Sequence, residues 1–275
     1  MPITCRIPLR RLNQQEFGEL SYEVMRDVFA IHNELGRFFE EGIYKRALAA
    51  RRQDVRLEEP IDVTFRTFTK QYFIDVLVAA GGLFEFKAVD RFVPRHRAQL
   101  LHYLLLTDLK HGMLVNVRPE TVEREFVNSA LTREDRFAFV PETCDWDDQV
   151  PGASFVRELL LDLLADWGTC LELSLYEEAL THFLGGESVV VRRASVVLDE
   201  VPLGSEPFRY AADDVAFKLT LFEDRRALDR YLDHAGRLLR HTDLRALLSI
   251  NIARKTITFT ALVSREAGRK IGAGK

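Results

Sequence analysis

Three charged side chains stand inside two apolar runs of this chain. Asp75 lies within YFIDVLVAA (Tyr72–Ala80), and Glu85 and Lys87 lie within LFEFKAV (Leu83–Val89). A strand turns every second side chain to the same face. Asp75 is in phase with Phe73 and Leu77; Glu85 and Lys87 are in phase with Leu83 and Val89. Gly81-Gly82 separates the runs and reads as a hairpin turn, which brings Asp75 alongside the other two. Two carboxylates and an ammonium in an apolar sheet are costly unless they are paired or bind a metal. A divalent-metal site is the leading expectation, and a structural salt-bridge cluster is the competing one.

A helix should follow. Pro94 suits its first turn, where a missing N–H costs nothing. His96, Gln99 and Tyr103 then fall on one face at helical spacing, among Leu100, Leu101, Leu104 and Leu105. Arg91, Arg95, His96 and Arg97 gather at its start, just past Lys87. They form a local basic patch suited to phosphates. His96 reads equally as a surface or capping residue, and Tyr103 as core with its hydroxyl bonded.

These residues in this order resemble a known family. Asp75 followed by Glu85-Phe86-Lys87 matches the D…(D/E)xK core of the PD-(D/E)xK nuclease superfamily. Gln99-Leu100-Leu101-His102-Tyr103 resembles the QxxxY motif of its RecB-type branch. LGRFFEEGIYKRAL (Leu35–Leu48) resembles the LGPGxxExxYxxAL motif of the GxxExxR proteins, usually placed in that superfamily. RHRAQLLHYLLLTDLKHGMLVNV resembles their HxAQLLNYL…GLLINF stretch. The resemblance runs from about Phe17 to Asn128. Arg37 and Phe38 depart from the usual Pro and Gly, and Glu40 from an apolar position.

The resemblance implies a restriction-endonuclease-like fold and metal-assisted phosphodiester hydrolysis. Asp75 and Glu85, helped by the Phe86 carbonyl, would bind Mg²⁺ or Mn²⁺, with Glu41 adding a carboxylate or holding water. Lys87 would position the nucleophile and offset charge. Gln99 would steady Lys87 or the water. Arg91, Arg95, His96, Arg97 and Tyr103 would contact the nucleic-acid backbone, DNA ahead of RNA. Glu41 also reads as an exposed acid favoured by a helix dipole.

The chain has 275 residues, 47% of them hydrophobic and 29% charged. That suits a soluble globular protein with one large or two smaller cores. No run is apolar and long enough to span a membrane, and MPITCRIPLRR lacks a secretory pattern. Cys5, Cys144 and Cys170 are dispersed and form no CxxC. This argues against a disulfide framework and a cysteine-bound zinc or iron–sulfur centre, and makes a cytoplasmic location the default. No HExxH, P-loop, GxGxxG or GxSxG is present. A net charge of −4 excludes a general nucleic-acid coat, so any such contact must be local.

Apolar spacing predicts helices over Phe17–Leu35, Glu40–Ala50 and Pro94–Thr107. Strands are predicted over Ile61–Phe68, Gln71–Ala79, Leu83–Val89, Met113–Val117 and Thr121–Val127. Ser129–Gly152, with Pro141 and Pro151, reads as a linker. The pattern then restarts. Phe155–Trp167 and Arg225–Leu239 read as helices; Val189–Val197, Val215–Phe222, Leu247–Ile252 and Thr256–Leu262 read as strands. Gly36, Tyr44 and Leu48 recur as Gly168, Tyr176 and Leu180 at one offset. Thr107-Asp108-Leu109 and Asn116 recur as Thr242-Asp243-Leu244 and Asn251 at another.

The expected architecture is therefore α/β: two tandem PD-(D/E)xK units, each a mixed central sheet flanked by helices, forming an intramolecular pseudo-dimer. The expected divisions are 1–128 with the intact site, a linker over 129–152, and a degenerate repeat over 153–275. In the repeat Leu173 aligns with Glu41, His234 with Gln99, and Phe217-Lys218 with Phe86-Lys87, which puts Ala216 at Glu85. Asp75 finds no partner. One live site predicts a nuclease whose lone chain nicks one strand; a homodimer stays open. The alternative is an inactive nuclease-fold module that binds nucleic acid or serves in assembly.

Overall fold

A computed structural model of the chain describes residues 2–264. It divides into two compact units, Met1–Arg133 and Glu134–Lys275. The tail of the expected repeat, 265–275, lies outside the described residues. No helix among the described residues is long and apolar enough to cross a membrane.

The first unit runs β1 (Ile3–Cys5), α1 (Gln14–Leu35), α2 (Glu41–Arg51), β2 (Val55–Phe65), β3 (Phe68–Val78), β4 (Gly82–Lys87), α3 (Pro94–Thr107), β5 (His111–Asn116) and β6 (Glu123–Asn128). Its six strands form one sheet in sequence order. Only β4 and β5 are parallel, because α3 carries the chain across between them. A capping box starts α1: Asn13 Oδ1 accepts from the Glu16 N–H at 3.0 Å, and Glu16 Oε2 accepts from the Asn13 N–H at 2.9 Å. The helix stops at Gly36, whose φ of 72° ends it. Tyr44 of α2 then donates its hydroxyl to the Gly36 carbonyl at 2.6 Å, fixing the angle between the helices. Phe17, Val24, Val28, Tyr44 and Leu48 of these helices pack on Val76, Val78, Phe84, Phe86 and Met113 of the sheet. Strand alternation then turns Glu85 and Lys87 away from that core layer.

The β3–β4 hairpin forms where expected, but its glycines do a different job. The left-handed corners are Ala79 (φ 49°) and Ala80 (φ 55°), and Val78 pairs with Gly82. Gly81 and Gly82 are required by crowding. A Cβ on Gly81 would lie 2.4 Å from the Arg10 carbonyl oxygen, and one on Gly82 would lie 2.7 Å from Leu20.

The second unit runs α4 (Arg133–Phe137), β7 (Val140–Thr143), α5 (Ala153–Trp167), α6 (Leu173–Phe183), α7 (Glu187–Val190), β8 (Val191–Leu198), β9 (Val201–Ala212), β10 (Val215–Thr220), α8 (Arg225–Arg240), β11 (Ala246–Ile252) and β12 (Thr256–Val263). Its sheet has the order β7-β12-β11-β10-β9-β8. Part of the stretch expected as linker is therefore structural: β7 pairs in parallel with β12 as an edge strand. Strand β9 lies outside the expected elements and carries Pro202, Gly204 and Pro207. Its proline-bearing half pairs only with β8, while β10 takes Arg209, Tyr210 and Ala212. A proline is tolerated where one strand edge is open.

From β8 to β12 the second sheet repeats the pairing of β2 to β6: antiparallel, antiparallel, parallel, antiparallel, with a helix crossing at the parallel step. Two side-chain devices recur as well. Tyr176 donates to the Gly168 carbonyl at 2.5 Å, as Tyr44 does to Gly36. Asn116 bridges Val89, accepting from its N–H at 3.1 Å and donating to its carbonyl at 2.7 Å. Asn251 does the same to Phe222, at 2.7 and 3.0 Å.

The asparagines fix the comparison of the two sheets and correct the sequence alignment. Lys87 pairs with Asn116 and Thr220 with Asn251. The position of Lys87 is thus taken by Thr220, and that of Glu85 by Lys218. The sequence match of Phe86-Lys87 to Phe217-Lys218 was two residues out. A two-residue slip keeps every side chain on its face, so apolar alternation cannot reveal it. Replacing Asn116 or Asn251 by Ala strands a part-buried N–H and carbonyl. Each change is expected to lower stability by about 2 kcal/mol in urea denaturation.

Candidate metal centre

The candidate site lies where the first sheet loses its ladder. Strands β3 and β4 pair at Val76–Phe84, Leu77–Leu83 and Val78–Gly82, and go no further toward Asp75. On the other side, β2 pairs through Leu57–Val76 and Glu59–Ile74. Between them Glu58 sits at φ 51°, a rare conformation for a residue with a side chain. Side chains complete the hydrogen bonding that the backbone abandons. Asp75 Oδ2 accepts from the Phe86 N–H at 3.1 Å.

The charges gather around this opening. Lys45, from α2, donates to Glu58 Oε1 at 2.7 Å and Asp75 Oδ1 at 2.9 Å, and lies 4.0 Å from Glu41 Oε1. Lys87 Nζ donates to Glu85 Oε1 at 2.6 Å. The Glu85 side chain is only 2% exposed and that of Asp75 14%, whereas that of Glu41 is 37% exposed. Burial, then the Asp75 charge, push the Glu85 carboxyl up to about 7 against the pull of Lys87. Burial also raises Glu41, which feels Lys87, Asp75, Lys45 and Glu58. Burial would lower the Lys45 ammonium, but its hydrogen bonds to Glu58 and Asp75 outweigh that and raise it. These five partners form one electrostatic cluster with Glu85.

Lys45 is the residue that sequence reasoning missed. On an amphipathic helix it reads as an ordinary surface lysine, yet it is buried. Its role depends on the left-handed turn of Glu58 within β2, which no local pattern announces.

The other expected residues divide. His96 lies close enough to Lys87 for that charge, after burial, to lower its pKa. Its Nδ1 accepts from the Val93 N–H at 3.3 Å. Gln99 donates to the Tyr103 hydroxyl at 3.3 Å, one helical turn away. Tyr103 is 9% exposed, with its ring against Tyr72 and His102. Arg91 and Arg95 are exposed; Arg97 pairs with Glu125.

As they stand, no three His, Cys, Asp or Glu side chains among the described residues are gathered to hold a metal. The reason is visible in the contacts: Asp75 is turned to Lys45 and Glu85 to Lys87. The donor chemistry nevertheless fits a hard divalent cation. Glu41, Glu58, Asp75 and Glu85 face only Lys45 and Lys87 within the cluster, a formal deficit of two positive charges.

Two measurements follow. A carboxyl held near 7 keeps its proton in the fold above the ordinary value of 4.5. Its contribution to stability is thus full at low pH and lost as pH rises through about 7. With chelator present, the melting temperature of Glu85→Gln relative to wild type should improve from pH 5 to pH 8. A difference that does not change with pH would show Glu85 ionised throughout. Lys45→Met removes the ammonium from Asp75 and Glu58. It should melt lower without metal, bind Mn²⁺ about tenfold more tightly by calorimetry, and gain more in melting temperature from Mn²⁺ than wild type.

No curated protein and no solved structure matches this chain. Members of the PD-(D/E)XK nuclease superfamily are generally phosphodiesterases that use divalent metals, and the model of that superfamily matches residues 18–128, from α1 to the end of β6.

Proposed function

We propose that the first unit is a Mg²⁺- or Mn²⁺-dependent nuclease of the GxxExxR kind, hydrolysing phosphodiester bonds of DNA or RNA. The second unit is read as its degenerate copy. The observation that carries this reading is the meeting of Asp75, Glu85 and Lys87 at the opening between β3 and β4, with Glu41 reaching in from α2. Asp75 and Glu85, with the Phe86 carbonyl and Glu41, would hold the ion. When bound, the cation supplies Lewis-acid polarisation of the phosphate and acidifies water.

The chain's own residues do the rest. Lys87 moves its ammonium from Glu85 toward the reacting phosphate, where charge grows in the transition state. Gln99, bonded to Tyr103, would steady Lys87 or a water. Arg91 and Arg95 would offer phosphate contacts, and His96 feels the charges of both Lys87 and Arg95. Arg97 would first have to leave Glu125. Tyr103, being largely buried, acts through Gln99 more than on substrate.

One observation favours the inactive binding module: Lys45 already neutralises Asp75. A single experiment decides between the two. Purified protein is incubated with Mg²⁺ or Mn²⁺ and labelled single- and double-stranded DNA and RNA, and with supercoiled plasmid. The nuclease reading expects metal-dependent cleavage that falls at least about 100-fold in Lys87→Ala, and nicked plasmid ahead of linear. Absence of cleavage in both wild type and Lys45→Met, on every substrate, would establish the inactive module.

A further inference from the structure

Helix α8 is the most sharply two-faced element of the second unit. Leu228, Ala235 and Leu239 are buried, while Arg226, Arg230, His234, Arg237 and His241 are exposed. The exposed five recur at steps of four, four, three and four residues, so they line one face. From Arg226 to Arg237 that stripe runs about 16 Å along the axis.

The stripe is short of counter-charge. Among the described residues Arg226, Arg230 and Arg237 make no ion pair, and the nearby acids are mostly engaged elsewhere. Asp224 caps the helix through the Arg226 and Ala227 N–H groups, and Asp229 binds Arg225 at 3.0 Å. Asp233 alone stands beside the stripe. Like charges one helical turn apart weaken a helix. A chain of net charge −4 has no compositional reason to concentrate them. A polyanion laid along the face relieves this repulsion.

The position of α8 adds an independent argument. It makes the crossover between β10 and β11, as α3 does between β4 and β5. The register that puts Lys218 at Glu85 also puts Phe208 at Asp75, since Arg209 pairs with Phe217 as Val76 pairs with Phe84. Leu173 and Glu177 follow the Tyr–Gly device at the places of Glu41 and Lys45. The carboxylates of the first site are gone, and the sign of the cluster is inverted: Glu177 lies 3.4 Å from Arg209 and 3.9 Å from Lys218.

We propose that the second unit grips the phosphate backbone of nucleic acid along α8, without a metal. The substrate class is shared with the nuclease reading, but binding here needs no metal and no cleavage. Arginines offer paired N–H groups to phosphate oxygens.

The test is fluorescence anisotropy with labelled single- and double-stranded oligonucleotides, using the full chain in chelator across a salt series. Wild type should bind with a linear fall of log affinity against log salt. Arg226→Gln/Arg230→Gln/Arg237→Gln should bind at least about tenfold more weakly and lose roughly 2 to 3 from that slope, as expected for three lost phosphates. Arg226→Lys/Arg230→Lys/Arg237→Lys should keep the slope. The proposal is overturned if wild type does not bind, if the Gln variant matches wild type, or if phosphatidylserine vesicles are bound and oligonucleotides are not. Chelator silences cleavage, so failure here leaves the nuclease reading standing, and failure of cleavage leaves this one.

Discussion

The first unit is organised around one constraint: carboxylates placed where a sheet comes apart must find positive charge. Burying an ionised carboxylate without a partner costs several kcal/mol. Asp75 and Glu85 meet that constraint differently. Asp75 takes a backbone N–H from Phe86 and an ammonium from α2, so it fastens strand to strand and helix to sheet. Glu85 has Lys87, two residues along its own strand, and remains reluctant to ionise. The opening in the ladder and the charges within it therefore depend on each other. Without the opening Asp75 could not reach the Phe86 N–H; without Asp75 that N–H would lose its partner.

The second unit shows how far the frame can be separated from the chemistry. The hydroxyl from α6 to the end of α5, and the amide from β11 to the loop after β10, are the same devices as in the first unit. They set the helix angle and the parallel register, and neither depends on the charges in the cluster. Those charges differ together between the units. Glu177 stands at the place of Lys45, and its partners are cations. What is conserved between the units is the requirement for pairing, not its sign.

Much of the first site was legible because it obeys short periods. Alternation placed Glu85 and Lys87 on one face, and helical spacing joined Gln99 to Tyr103. The parts that escaped are set by tertiary contact. Lys45 acts only because Glu58 takes a left-handed conformation within β2. Gly81 and Gly82 look like turn residues but answer to Arg10 and Leu20, distant in sequence. The prolines of β9 look like breakers because an open strand edge is invisible in the sequence. Strands β1 and β7 are too short to carry a period. The slip in aligning the two units has the same origin: a period of two cannot tell one register from the next but one.

The charge balance of the two clusters then separates their chemistry. In the first unit Glu41, Glu58, Asp75 and Glu85 face Lys45 and Lys87, which leaves a formal charge of −2. Burial, and then the Asp75 charge, hold the Glu85 carboxyl up near 7, and the proton it keeps offsets part of that deficit. A divalent ion would fill it completely, and would compete with the proton on Glu85 and with Lys45 on Asp75. In the second unit Glu177 faces Arg209 and Lys218, an excess of one positive charge, and the neighbouring α8 adds more. A site short of cations and a site short of anions, built on one frame, do not compete for a ligand. The charge of the first attracts a cation, and that of the second an anion.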